Sequence, residues 1–300
     1  MNRAFIFIIA GAALWGTIAI YVKKLYTFGF TPMEVVTLRV VTAAIILVIY
    51  LACKAPKQLI LTKWTDIGYF IGTGIFSIIF FNYSMFKTIE LASIPVSAAL
   101  LYTAPAFVII MSFFLFKEPI TKRKMIALCT TLGGTILVVE LIPFDTNSIP
   151  LMTVFIGLGS GVGYALYSIF SKFALKKYSS LVITTYTFVV ASVALLPFFS
   201  YKKHAALLLE PQTLLYAFGL GFLPTAVAYI IYTYGLQQTE ASNASLLTTV
   251  EPVVATLIGI FMFQESFQLS QILGMACIIG AVILIQVELP AKKQKSIDIH

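Results

Sequence analysis

The sequence predicts an all-α integral membrane protein, with ten transmembrane helices arranged as two inverted five-helix repeats. Three observations carry this reading. Hydrophobic residues make up 60% of the 300-residue chain and charged residues only 11%, against about 45–50% and about 25% in soluble domains. The apolar residues fall into long runs, and punctuating residues of the first half recur in the second at a near-constant offset.

So few charges cannot cover a water-facing surface, and 25 Phe with 15 Tyr are bulk that a lipid-facing exterior absorbs. A soluble, disordered or coiled-coil protein is excluded. The net charge of +8 would suit nucleic acid only if it were gathered on one exposed face. Here the basic residues lie in short clusters between apolar runs, so the expected neighbour is membrane lipid and no nucleic-acid partner is expected. Cys129 and Cys277 lie inside apolar runs and Cys53 at the end of one. They form no disulfide framework and no CxxC or Cys/His metal spacing.

A bilayer core about 30 Å thick needs about 20 residues of helix. The first run, 4–22, follows Met1-Asn2-Arg3 but lacks an A-x-A-like cleavage site, so a retained helix is expected. The second, 40–53, reaches spanning length if it starts at Pro32 and carries Arg39 inside. Runs 67–86, 91–116 and 125–139 complete the first half. Runs 146–171, 178–201, 211–239, 241–264 (broken only by Glu251) and 266–287 make up the second. Short loops join all ten.

Orientation follows from Lys and Arg. With the N-terminus in the cytoplasm, 14 basic residues lie inside (among them Arg3, Lys57, Lys117, Lys124, Lys172 and Lys293) and 5 outside: Lys23, Lys24, Lys87, Lys202 and Lys203. Both termini of a multi-pass protein of the cell (cytoplasmic) membrane are therefore expected inside. An offset of 147 lays Gly72-Thr-Gly74 on Gly219-Leu-Gly221, Pro105 on Pro252, Glu118 on Glu265 and Gly133 on Gly280. At 149, Trp15-Gly16 falls on Tyr164-Ala165. Five helices per copy make the second copy enter from the opposite side, the inverted repeat of many secondary transporters. The expected units are 1–142, 143–290 and a cytoplasmic tail, 291–300.

With Ala13-Leu-Trp15-Gly16, Arg39, Thr88-Ile-Glu-Leu-Ala-Ser93, Pro105, Glu118 and Gly133, echoed by Thr239-Glu-Ala-Ser242, Pro252, Glu265 and Gly280, the chain resembles the EamA-type drug/metabolite transporter superfamily from Ala10 to about Gln286. The resemblance implies a five-plus-five carrier, commonly an exporter of amino acids or other small metabolites.

Within the spans, several residues stand out. The pairs Gly157/Gly161 and Gly159/Gly163 permit close helix approach, with a flexible gate as the alternative. Pro105 and Pro252 each remove a backbone hydrogen bond and bend their helix, and their equivalence marks them as candidate hinges. Glu118 and Glu265, each after Phe-x-Phe, are expected in a structural pairing at a helix–helix turn. Arg39 and Glu251 are the deepest ionisable residues. Charges there face the protein interior and mark function. They lie roughly 10 Å from the outer and roughly 15 Å from the inner face, close enough in depth for an ion pair. Glu251 is the candidate carrier of a coupling proton. Trp15, Asn82, Tyr83, Tyr102, Tyr164, Tyr229 and Asn243, with Tyr167 and Tyr232, carry polar atoms in mid-span that must be satisfied, and are the expected lining of a substrate cavity.

His204 and His300, with no partner at meaningful spacing, build no catalytic centre, and no Walker A segment is present. No enzyme activity, cofactor or metal is expected. The reading is a secondary transporter of a small-molecule substrate, exporting amino acids or related metabolites by alternating access. The alternatives are a cationic drug or nucleotide-sugar-like cargo, or a non-transporting receptor or scaffold.

Overall fold

The computed structural model describes residues 3–140, 149–265 and 268–286; the expected boundary at 142/143 and the tail 291–300 lie outside them. Among the described residues, nine helical stretches are long and apolar enough to cross a membrane: α1 (Arg3–Thr27), α2 (Pro32–Lys54), α3 (Trp64–Leu91), α4 (Ile94–Phe116), α6 (Leu151–Ala174), α7 (Ser180–Phe198), α8 (Pro211–Gln237), α9 (Ala241–Phe263) and α10 (Leu269–Gln286). The remaining rod, α5 (Lys122–Val138), has 17 residues, about 26 Å of helix. It packs along α10, its counterpart. The ten rods bear out the predicted fold, and among the described residues there is no strand.

Local chemistry sets the helix ends. Thr31 opens α2 with a capping box: its hydroxyl accepts from the Glu34 N–H while Glu34 accepts from the Thr31 N–H, closing two orphan donors at once. Thr121 and Ser179 cap α5 and α7 in the same way with their side chains alone. α4 and α9 each end on a non-glycine residue in the left-handed region, Lys117 (φ 60°) and Gln264 (φ 55°). The next N–H reaches six residues back, from Glu118 to Ser112 and from Glu265 to Gly259, so one backbone bond closes each helix end in the same way.

Both candidate hinge prolines sit at breaks. Regular helix in α4 stops at Leu101 and resumes at Ala104, just before Pro105; in α9 it stops at Leu247 and resumes at Val250, just before Pro252. Hydroxyls take up carbonyls around each break: Thr103 bonds Leu100, and Thr248 and Thr249 bond Ser245 and Leu246. In a membrane such internal partners are what make a broken helix tolerable.

α3 and α8 share a further irregularity. Gly72–Ile79 and Phe222–Val227 are π-helical, at equivalent repeat positions. The extra residue widens the helix locally and often marks a functional segment.

The halves interleave. α1 packs on α8 and α9 of the other half, and α6 packs on α3 and α4 in the mirrored arrangement. The alternating glycines of α6 split between two partners. A Cβ at Gly157 would stand 2.3 Å from Leu100 and one at Gly161 2.9 Å from its carbonyl, whereas Gly163 would clash with Phe81. Close packing is therefore their role in this conformation.

Candidate functional site: a one-ended cavity between the halves

The crossed halves enclose a cavity of about 410 Å³. Its deep end is formed by Trp15 of α1, Arg39 of α2, Asn82 of α3, Tyr102 of α4, Tyr164 of α6, Tyr229 of α8 and Glu251 of α9. Seven different helices thus converge on one space, and Trp15, Tyr102, Tyr164 and Glu251 each lie beside a glycine or at a helix break. Gly16 is one such position: a Cβ there would stand 2.9 Å from the Glu251 carbonyl oxygen, so only glycine lets α1 lie against α9 at this depth.

Below the cavity lies an aromatic floor. Trp15 stands 4.9 Å from Tyr229, 5.0 Å from Tyr232 and 6.0 Å from Tyr164, centroid to centroid, and Tyr167 stands 4.9 Å from Tyr229. These tilted and edge-on pairings are the favourable ones. Tyr167 and Tyr232 are held by Thr233 at 2.8 Å and Ser168 at 2.7 Å. The indole Nε1 of Trp15 is buried and has no protein partner, and unsatisfied buried donors are rare enough to need a reason. Above the floor the wall is apolar, with Ile18, Val22, Met85, Phe86, Ile89 and Leu101, and the cavity continues to Lys23, Tyr26 and Ile94 at one end of the bundle. It does not reach the other end, near Glu118.

Arg39 and Glu251 share this cavity without pairing, and the ion pair allowed by their depths is not formed. Arg39 is held instead by the π segment of α8. Its Nε donates to the Thr225 hydroxyl at 2.8 Å, which in turn donates to the Leu220 carbonyl at 2.7 Å. The guanidinium stands 5.9 Å from the Tyr229 ring centre, within cation–π range. Glu251 accepts from the Tyr164 hydroxyl at 3.0 Å. Arg39 is thus steadied by Thr225 and Tyr229 and Glu251 by Tyr164, and both charges line the cavity.

Two expected lining residues stand elsewhere. Tyr83 is 57% exposed and borders a separate cleft with Glu34 and Lys203. Adjacent residues on a helix point about 100° apart, so α3 could direct only one of Asn82 and Tyr83 inward. Asn243 donates to Glu240 at 3.2 Å, below the floor near the closed end. Asn82 lines the cavity, but its amide nitrogen also serves the Ile78 carbonyl at 2.7 Å. Thr225 and the apolar wall were not read from the sequence: a threonine in an apolar run signals nothing until a partner is found for it. Glu118 is no simple turn pair either. It is 8% exposed and accepts from the backbone of α9 in the opposite half.

Comparison with known proteins places this architecture. The model of the EamA-like transporter family matches residues 2–140 and again 151–287. The chain belongs to the EamA-like transporter family. It is a multi-pass membrane transporter with a small-molecule substrate. An uncharacterized transporter of Archaeoglobus fulgidus is 33% identical over 67% of this chain and 70% of its own. One of Clostridium kluyveri is 27% identical over 94% and 93%, and the Bacillus subtilis uncharacterized transporter YetK 23% identical over 93% and 85%. A crystal structure with 18% sequence identity superposes with a TM-score of 0.75 over 94% of this chain and 96% of its own, which supports the fold.

Proposed function

We propose that this EamA-family chain is a secondary transporter that exports amino acids, or related small zwitterions, across the cytoplasmic membrane by alternating access. The observation that supports it is that Arg39 and Glu251 line one largely apolar cavity without pairing with each other. A cation and an anion that share a desolvated site unpaired complement a molecule bearing both charges. Such pairing discriminates strongly, because a ligand lacking one charge leaves its partner buried and uncompensated. Arg39 takes the carboxylate, with the free Trp15 N–H as a second donor. Glu251 and the rings of Tyr102 and Tyr164 take the ammonium. The apolar wall takes an apolar side chain. A purely cationic drug would leave Arg39 opposed to like charge, and a nucleotide sugar is large for about 410 Å³. Pro105 and Pro252 serve as hinges at the helix breaks, where rocking is absorbed.

In this reading, which the charge asymmetry supports, both termini and the Glu118 end face the cytoplasm. Cysteine at Lys203 should then label from outside intact cells and cysteine at Gln58 should not; the reverse pattern overturns the orientation.

Glu251, the only carboxylate lining the cavity among the described residues, is the carrier of a coupling proton in this reading. Purified protein in sealed vesicles tests the whole. Zwitterionic amino acids with apolar side chains should cross while their amides and decarboxylated amines do not. Equal transport of all three, or of none, overturns the cargo reading.

A further inference from the structure

The two ends of the helix bundle carry the same parts in different arrangements. At the closed end Glu118, set by the left-handed Lys117 turn, accepts from the Ala241 N–H at 2.7 Å, the Ser242 N–H at 3.0 Å and the Ser242 hydroxyl. Lys172 donates to the carbonyls of Leu236, at 2.8 Å, and of Thr239. One carboxylate and one ammonium thereby pin both sides of the α8–α9 turn, drawing it onto α4 of the other half and α6 of its own. At the open end stand the counterparts. Glu265 is equivalent to Glu118 at the offset of 147, and Lys23 to Lys172 at the offset of 149 that pairs Trp15 with Tyr164. Here the two bind each other at 2.5 Å, both about half exposed. The matching α3–α4 turn, 91–94, holds neither of them, and Ile94 is 68% exposed beside the cavity mouth.

We propose that Lys172/Glu118 and Lys23/Glu265 are one clamp built twice: with the glutamate of one half and the lysine of the other both bound to a helix–helix turn in the lysine's half, the clamp closes its end, and with the two bound to each other that end stays open. This rests on the alternating-access reading and names the residues that carry out the exchange. Closing the open end requires Glu265 to leave Lys23 for the α3–α4 turn, and Lys23 to take the carbonyls of Ile89 and Ala92, the equivalents of Leu236 and Thr239. The two ends differ in the donors offered to the glutamate, and the closed end also carries the Lys124–Glu240 ion pair at 2.7 Å, whose counterparts Gln271 and Ser93 are uncharged. Ser242 supplies Glu118 with two of its three donors, and its counterpart is Pro95, which has neither N–H nor hydroxyl. Glu265 would find only the Ile94 N–H among the equivalent donors. Hydrogen bonds to a charged acceptor are the strong ones, so the Glu118 clamp outcompetes its counterpart and the transporter rests open at the Lys23 end.

The test measures populations without substrate. Reporter cysteines at the equivalent positions Ala98 and Ser245 are introduced singly, in protein whose Cys53, Cys129 and Cys277 are alanine. Their reaction rates with a small charged thiol reagent are compared in nanodiscs, where both faces are accessible. The ratio of Ala98Cys to Ser245Cys rates should exceed one in the parent. Pro95→Ser, which restores the missing donors, should lower the ratio about tenfold, the shift expected of one charge-assisted bond. Glu118→Gln and Ser242→Pro should lower it as well, whereas Glu265→Gln should raise it. Size exclusion and thermal melting certify that each variant is folded. A ratio that stays flat in folded Pro95→Ser and Glu118→Gln, or that moves the same way in Glu118→Gln and Glu265→Gln, overturns the clamp. Because no cargo is involved, a flat ratio in protein that does transport sinks the clamp alone, and an inert protein with opposed shifts sinks the cargo reading alone.

Discussion

Two crossings at equivalent places, α2 over the π segment of α8 and α7 over that of α3, share a scaffold and differ in chemistry. At the first, a Cβ on Gly221 would stand 3.0 Å from the Ala43 nitrogen; at the second, one on Gly74 would stand 3.2 Å from the Ala191 nitrogen. The backbones approach in the same way. Yet the first crossing bonds Arg39 to Thr225 at 2.8 Å beside the cavity, while the second joins the hydroxyls of Thr73 and Thr187, fully buried. Glu251 likewise has Ala104 as its counterpart. Duplication built the frame twice, and the charged groups of the site occupy only one copy of each position. A substrate with two distinct poles fits an asymmetric site of that kind, whereas the moving parts can stay symmetric.

That contrast can be broken most forcefully at Arg39. Arg39→Leu should lower kcat/KM for transport by about 100-fold or more, the scale of losing one partner of a desolvated charge pair. Arg39→Lys should not restore it, since a lysine cannot reproduce the fork that bonds Thr225 and a carboxylate together. Thr187→Val, at the equivalent position, should leave transport within about twofold and cost about 1 kcal/mol of stability, one neutral hydrogen bond. Vesicle uptake beside thermal melting measures both, and a comparable transport loss at the two positions would erase the distinction.

Glu251→Gln comes next. Under an imposed pH gradient the parent should concentrate substrate, whereas the variant should only equilibrate it and keep counterflow exchange. Accumulation by the variant would remove Glu251 as proton carrier.

The scaffold itself predicts equality. Gly74→Ala and Gly221→Ala should each cost about 1–3 kcal/mol by overpacking, with melting temperatures falling by similar amounts. A large difference between them would show that the two crossings are not mechanically alike.

The smallest effect is expected at Trp15→Phe, which keeps a ring on the floor and deletes the unpartnered N–H. KM should rise up to about tenfold, and the melting temperature should hold or rise slightly, because a buried unsatisfied donor is removed.

Composition alone determined that this chain lies in a membrane, and the spacing of apolar runs determined its helices, because a fixed bilayer thickness and the fixed rise of a helix leave few other solutions. The offset of prolines, glycines and glutamates determined the inverted repeat. It also located both helix breaks, since proline acts on its own backbone and needs no partner to do so. Tertiary structure decided what depends on rotation and partnership. A mid-span Tyr or Asn announces only that its polar atom needs satisfaction, so Tyr83 and Asn243 looked as eligible as Asn82 and Tyr164 until packing fixed which face of each helix turned inward. Depth placed Arg39 and Glu251 near one another along the membrane normal. Their lateral positions came from helix crossings, and these gave Arg39 to Thr225 and Glu251 to Tyr164. Repetition singled out Glu118 and Glu265 as equals, and folding separated them. One end of the bundle is closed and the other open, and a carboxylate binds whichever donors the fold brings within reach.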